Sequence, residues 1–161
     1  MTRVLVTADT HAPRRRLPDW LVRLAARADL IVHAGDVCDA ATLQTLGALA
    51  PLYAVRGNND FDLPLPSRLL LTLEGVRLGI VHGDTGPGQT TAERAWRSFP
   101  ERPEIVVFGH SHGRLWESHD GVTLLNPGSP TKPRGDAPSA CWLTLSRGEH
   151  DIRFVGEESA Q

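Results

Sequence analysis

Short apolar runs punctuate this chain, and they keep breaking off at aspartate, asparagine or histidine. Residues 3–8 are rich in Val and Leu and end in Asp9-Thr10-His11. Leu30-Ile31-Val32-His33 ends in Ala34-Gly35-Asp36, and Leu52-Tyr53-Ala54-Val55 ends in Arg56-Gly57-Asn58-Asn59-Asp60. Ile105-Val106-Val107-Phe108 ends in Gly109-His110-Ser111-His112. Continuous runs of this length are the pattern of strands buried on both faces. Helical spacings lie between the first of them. Pro18 begins one with Leu21, Leu24, Ala25 and Ala28 on one face, and Asp39 caps another through Leu49 with Leu43, Leu46 and Leu49 inward. This alternation predicts a parallel sheet with right-handed crossovers, whose ligand-bearing edge is the carboxyl ends of its strands.

The pattern changes after residue 67. Residues 68–73 and 76–81 read as a hairpin about Glu74-Gly75, the second strand ending in His82-Gly83-Asp84. A glycine-rich loop, 83–88, leads to a helix expected from Thr91 to Phe99 with Ala92, Ala95, Trp96 and Phe99 on one face. Residues 114–117 and 122–125 flank the turn Asp120-Gly121, the latter strand ending in Asn126-Pro127-Gly128-Ser129. Two alternating strands, 140–145 and 151–155, close the pattern, and residues 156–161 read as a polar tail that frays. The two halves together predict an α/β fold of two sheets packed face to face with helices outside, as a single domain over 1–161.

Composition adds mostly exclusions. A chain of 161 residues, 40% hydrophobic and 22% charged, is ordinary globular material. Its net charge of −2 argues against nucleic acid and against an anionic membrane surface as partners. No apolar stretch approaches the ~20 residues of a membrane span, and the start lacks the pattern of a signal peptide. Cys38 and Cys141 make no disulfide framework or ligand spacing, so a reduced, cytoplasmic setting is expected. Nothing in the chain decides between a monomer and a homo-oligomer.

The chemistry sits at the strand ends. Neighbours at i and i+2 of an extended segment point to the same side, so Asp9 with His11, and His110 with His112, reach the sheet edge in pairs. Gly35 permits a sharp turn that leaves Asp36 beside Asp9 if their strands are neighbours. Asp9, His11, Asp36, Asn58, His82, His110 and His112 together have the composition of a two-metal site: carboxylates and imidazoles, one neutral amide, no thiolate. That set suits Mn²⁺, Fe or Zn²⁺ better than an all-oxygen Mg²⁺ or Ca²⁺ cage. A carboxylate such as Asp36 can bridge cations ~3.5–4 Å apart, the spacing of dinuclear phosphoesterases. Each motif alone reads equally well as solvated loop residues. Their recurrence at successive strand ends is the specific signal.

The series Asp9-x-His11, Gly35-Asp36, Gly57-Asn58, His82-Gly83 and Gly109-His110-x-His112 resembles the calcineurin-like metallophosphoesterases. Its length, and Asn126-Pro127-Gly128-Ser129 followed by Pro133-Arg134, resemble the small single-domain branch of YfcE-like phosphodiesterases. The resemblance implies a four-layer αββα sandwich of two mixed β-sheets flanked by helices. It also implies a phosphoesterase, most naturally a phosphodiesterase, acting on a small phosphate ester through a hydroxide between two divalent metals. Manganese leads as the cofactor, with iron, zinc, nickel and magnesium as the other candidates. Matched motif by motif, one metal falls to Asp9, His11, Asp36 and His112 and the other to Asp36, Asn58, His82 and His110. Asp36, His82 and Asn58 are thereby the candidate catalytic residues. Many larger relatives carry histidine after the asparagine as a general acid; here that place is Asn59, which cannot give up a proton at neutral pH. The same fold also serves as a partner-binding retromer subunit, so a metal-stabilised interaction module is the alternative. The ligand histidines kept here favour the hydrolase.

The remaining polar residues carry smaller expectations. Arg134 and Asn59 are the candidate substrate contacts, with Lys132 and Arg56 as rim residues. Arg14, Arg15 and Arg16 read as a solvated loop, His33 as a packed residue, and His119 and His150 as surface. Trp20, Trp96, Trp116 and Trp142 read as core and sheet packing.

Overall fold

The computed structural model describes residues 1–12 and 16–161, so the expectations for Arg14 and Arg15 lie outside the described residues. Strand β1 (Thr2–Thr7), helix α1 (Asp19–Ala25), β2 (Leu30–His33), α2 (Ala40–Leu49) and β3 (Leu52–Ala54) make up the βαβαβ half. Then come β4 (Arg68–Leu73), β5 (Val76–Val81), α3 (Thr91–Arg97), β6 (Ile105–Val107), β7 (Arg114–His119), β8 (Val122–Pro127), β9 (Ala140–Ser146) and β10 (Glu149–Val155). One sheet has the order β10-β9-β1-β2-β3 and the other β4-β5-β6-β8-β7. Both are mixed: β1, β2 and β3 run parallel, as do β5, β6 and β8, and the remaining pairings are antiparallel. Three hairpins turn on Glu74-Gly75, Asp120-Gly121 and Arg147-Gly148. Both turn residues have positive φ in each case, as two-residue turns that match strand twist require.

The central residues of these runs, 4–6, 30–32 and 105–108, are apolar at every position because each sheet is covered on both sides. Val4, Val6, Val32, Leu78, Ile80, Ile105, Val107, Leu125 and Leu143 point between the sheets into a shared core. Leu5, Ile31 and Trp142 point the other way and pack under Trp20, Leu21, Leu24 and Leu46 from α1 and α2. On the far side Val106, Phe108, Val122 and Leu124 pack under Ala95 and Phe99 of the α3 segment. The layers are therefore αββα, as expected. The parallel strands of both sheets deliver their carboxyl ends to one edge of this sandwich.

Several local expectations need correction. Pro18 is the N-cap of α1 and lies outside the helix, which ends at Ala25 and leaves Ala28 beyond it. Residues 156–161 do not trail as a polar tail. Glu157–Ala160 form a 3₁₀ turn, and Ala160 packs against the α1 cluster. Composition hid this because one alanine supplies the anchor. Trp20 and Trp142 are buried, whereas Trp116 is 56% exposed on the edge strand β7. The pattern of a strand does not reveal whether its outer face is covered.

Gly79 illustrates how tightly the third interlayer contact is built. A Cβ there would come within 2.9 Å of the Phe99 ring. Gly79→Ala should therefore destabilise the protein by about 1–3 kcal/mol, the usual scale of overpacking. Urea unfolding would show this as a lower midpoint at unchanged slope, and an unaltered midpoint would mean that Phe99 yields freely.

Candidate metal centre

The strand ends are bent in an unusual way. Asp9 (φ 54°), His11 (49°), Asp36 (59°), His110 (67°) and His112 (61°) all have left-handed backbone. That conformation costs an L-residue roughly 1–2 kcal/mol, so the surroundings must hold it in place. They do so with directed hydrogen bonds. The N–H groups of Asp9, His11 and Ala12 donate to the carbonyls of Gly35, Asp36 and Val37 at 2.9, 3.0 and 3.1 Å, zipping the β1 and β2 ends together. Ser129 Oγ donates to the Asp9 carbonyl at 2.8 Å, and Thr131 Oγ1 to that of Thr10 at 2.9 Å. Asn126 Nδ2 donates to the Gly109 carbonyl and to Ser111 Oγ, both at 3.0 Å.

Asp60 is the tightest of these clamps. Its buried carboxylate accepts the backbone N–H groups of Asp36 (2.8 Å), Cys38 (2.7 Å) and Gly57 (2.7 Å), joining the ends of β2 and β3. The contact is so close that a Cβ on Gly57 would lie 2.2 Å from Asp36 Oδ1.

On this frame the predicted residues converge. His11 Nε2 and His112 Nε2 lie 3.2 Å apart. Asp36 Oδ2 lies 3.6 Å from His11 Nε2 and 3.4 Å from His82 Nε2. Asp9 Oδ1 lies 3.6 Å from His112 Nε2 and 3.9 Å from His82 Nε2. Asn58 Oδ1 lies 3.0 Å from His82 Nε2 and 3.2 Å from His110 Nδ1. Two groups have donors close enough to share a cation, Asp9-His11-His112 and Asp9-Asp36-His82. Asp9 belongs to both, so it straddles the centre as well as Asp36.

The imidazoles are oriented as ligands. His82 Nδ1 donates to the Ala34 carbonyl and His112 Nδ1 to the Lys132 carbonyl, both at 2.7 Å. Each ring thus turns an unprotonated Nε2 inward when neutral, the arrangement that second partners impose on metal-binding histidines. His33, fully buried, accepts from Gly35 N–H at Nδ1 and donates from Nε2 to Thr10 Oγ1 (3.0 Å). It braces the Gly35 turn, as a packed residue should.

Electrostatics show what the frame lacks. Both oxygens of Asp9 are buried without a hydrogen-bond partner, and burial pushes its carboxyl up to about 7 against the pull of His82. Burial lowers His11, His110 and His112. Burial also opposes charge on His82, but its bond to Asp36 and the charges of Asp9 and Asp36 outweigh this and hold it at about 9. Burial is outweighed at Asp36 too. Bonds from His82 and from Asn59 hold it well below the usual carboxylate range. A buried carboxylate without donors, facing inward-turned imidazole nitrogens, is the environment that a divalent cation completes. The donor set fits such a metal.

The expected substrate contacts divide. Arg134 is exposed on the rim, its N–H on the His112 carbonyl (3.1 Å) and its charge reaching Asp9 and His112. Asn59 is instead bound to Asp36, its N–H on Oδ1 (2.9 Å) and its amide on Oδ2 (2.8 Å). His119 and His150 are exposed, and the His119 ring stacks edge-on against Trp96. Sequence reasoning passed over Asp60, Ser129 and Asn126 as site-builders. For Asp60 the available signal was an aspartate three residues after a strand-end glycine, which can reach back to backbone N–H groups.

A model of the calcineurin-like phosphoesterase superfamily domain matches residues 2–148. The chain belongs to that family. A probable metallophosphoesterase of Methanothermobacter thermautotrophicus is 31% identical over 154 residues, covering 93% of this chain and 90% of the relative. Among solved structures, Vps29 of Chaetomium thermophilum superposes with a TM-score of 0.81 at 20% identity, over 96% of this chain and 94% of its own. An archaeal protein characterised as a phosphodiesterase superposes with a TM-score of 0.72 at 21% identity, over 95% and 99%. These two likenesses concern the fold.

Two outcomes follow from the geometry. Asp60→Ala leaves three buried N–H groups without an acceptor, at roughly 1–3 kcal/mol for each unsatisfied group, and should produce a destabilised protein with weakened metal binding. Unfolding and calorimetric metal titration would check it, and wild-type metal affinity in a folded variant would remove Asp60 from the frame. The second outcome concerns pH. The pKa values of Asp9 and His82 are raised on folding, so their contribution is full at low pH and lost as pH rises through about 7 and about 9. The lowered histidines act below their ordinary value, and Asp36 only in acid. The melting temperature of metal-free protein should therefore fall from pH 7 to pH 9, and added Mn²⁺ should restore more at pH 9 than at pH 7.

Proposed function

We propose that the protein is a metal-dependent phosphodiesterase acting on small phosphate esters. Two divalent cations, manganese first among the candidates, would be held by Asp9, His11, Asp36 and His112 and by Asp36, Asn58, His82 and His110. The observation that carries this reading is the donorless, buried Asp9 carboxylate among inward-turned imidazoles. When bound, such a pair supplies Lewis acidity toward phosphoryl oxygens and lowers the pKa of water toward neutrality.

The chain's own residues do the rest. Asn59 holds both oxygens of Asp36, which keeps that carboxylate ionised and aimed between His11 and His82. Ala34 and Lys132 fix the tautomers of His82 and His112 through their carbonyls. Asn58 contributes a neutral oxygen between His82 and His110. Arg134, with its guanidinium on the rim, meets a non-bridging phosphoryl oxygen. Asn59 cannot protonate a departing alkoxide, a service worth ~10²–10⁴-fold where an acid provides it, so acidic leaving groups are favoured.

A phosphodiester substrate draws support from the archaeal phosphodiesterase that shares the fold. The likeness to Vps29 supports a second reading, a metal-stabilised binding module without turnover. Two unpaired cysteines suit a reducing cytoplasm, and no helix among the described residues is long and apolar enough to cross a membrane.

Elemental analysis of Mn²⁺-loaded protein should find about two equivalents per chain, as a dinuclear site requires, together with turnover of bis(p-nitrophenyl) phosphate. Asp36→Asn should lower kcat by about 10²-fold or more, on the scale of losing a preorganised charge at a reacting centre, whereas His119→Ala should leave it near the wild-type value. Metal uptake without metal-dependent turnover would leave the binding module as the reading. Equal losses in the two variants would place the chemistry elsewhere.

A further inference from the structure

A cleft of about 490 Å³ opens beside the metal centre, between the end of β3, the start of β4 and the loop after β5. Asn58 lines it, so it is continuous with the proposed site. Its volume is that of a cleft for one small organic group, within the roughly 300–1,000 Å³ of ligand sites. Its lining mixes apolar surface with polar and charged side chains, Arg56, Arg68 and Asp84 among them and Val81 beside them.

The charges in the cleft are not equally available. The Arg68 guanidinium is engaged by both oxygens of Glu101 and by the Ser98 carbonyl at 2.8 Å, and it lies over the Phe99 ring. Arg56 differs. Its N–H is fixed on the Pro66 carbonyl (2.8 Å), two residues from Asn58, while its side chain has no hydrogen-bond or ion-pair partner among the described residues. Asp84 stands on the side of His110, whose ring it influences, and would repel an anion there. An exposed guanidinium with unused donors matches a phosphate group, which it can grip through two parallel hydrogen bonds.

We propose that this cleft seats the non-leaving arm of the phosphodiester, and that Arg56 selects arms bearing a second phosphate. The proposal rests on the phosphodiesterase reading for its orientation across the centre. It makes Arg56 a specificity-determining residue, with no part in positioning the metals.

The test compares two substrates on Mn²⁺-loaded protein, the p-nitrophenyl ester of thymidine 5′-phosphate with and without a 3′-phosphate. The wild type should show a kcat/KM ratio of roughly ten in favour of the 3′-phosphorylated ester, the scale of one charge-assisted contact. Arg56→Gln should bring the ratio near one, and Arg56→Lys should keep part of it. Arg27→Gln, an equal change of net charge beyond the end of α1, should keep the full ratio. A ratio near one in the wild type, or a ratio preserved in Arg56→Gln, overturns the assignment. Calorimetric binding of thymidine 3′,5′-bisphosphate against thymidine 5′-phosphate separates this from the hydrolase reading. If neither ester turns over but the bisphosphate's tighter binding depends on Arg56, the hydrolase falls and the cleft stands. If both esters turn over equally and the bisphosphate binds no tighter, the cleft falls and the hydrolase stands.

Discussion

Left-handed backbone at the ends of buried strands is the constraint on which the centre depends. Five of the seven predicted metal-binding residues sit there, with φ between 49° and 67°. At roughly 1–2 kcal/mol each, this strain is comparable with the whole stability of a small domain, about 5–15 kcal/mol. It persists because the polar groups around it are placed to hold it. Asp60 gathers three N–H groups, Ser129 and Thr131 take the carbonyls of Asp9 and Thr10, and Asn126 braces the loop of His110 and His112. The apolar layers supply rigidity and the clamps convert it into direction. A strand that simply ran on would point alternate side chains into opposite faces of the sheet. The sharp turn lets residues that follow a strand project together beyond its edge.

The fold was legible because its two kinds of apolar run differ. Residues 4–6, 30–32 and 105–108 are apolar throughout, which only two covered faces explain. Residues 140–145 look alternating, yet Trp142 and Leu143 are both buried, on opposite faces of β9. The site was legible in its ligand types, since aspartate and histidine directly after such runs have no structural reason to recur. Its frame was harder to read. Asp60, Ser129 and Asn126 act through backbone atoms of residues distant in sequence, and a carboxylate's preference for backbone N–H groups leaves no periodic trace. Asn59 shows the other limit. Its identity told what chemistry it lacks, but only the geometry shows that its amide is already engaged by Asp36.

The same fold hosts both an archaeal phosphodiesterase and Vps29, so architecture alone cannot distinguish hydrolysis from scaffolding. The polar arrangement bears on a narrower point, a place for a cation, which a hydrolase and a metal-stabilised module would share. A surface that bound partners without a metal would gain nothing from burying both Asp9 oxygens without a hydrogen-bond partner. Burial holds the Asp9 carboxyl at about 7 against the pull of His82, a costly feature, and apolar replacement of such buried groups is often neutral or stabilising. Here that arrangement is reinforced: His82 and His112 turn Nε2 inward, a lone pair wherever the ring is neutral, and Asp36 is kept ionised beside them. Near neutral pH the lowered Asp36 and the raised His82 stabilise the metal-free chain, whereas the buried Asp9 carboxylate costs it stability. Together they make sense as the receiving half of an interaction whose other half is a cation. The clamps around them explain why the chain holds that shape before the cation arrives, so that binding energy goes into coordination and little is lost in ordering the loops.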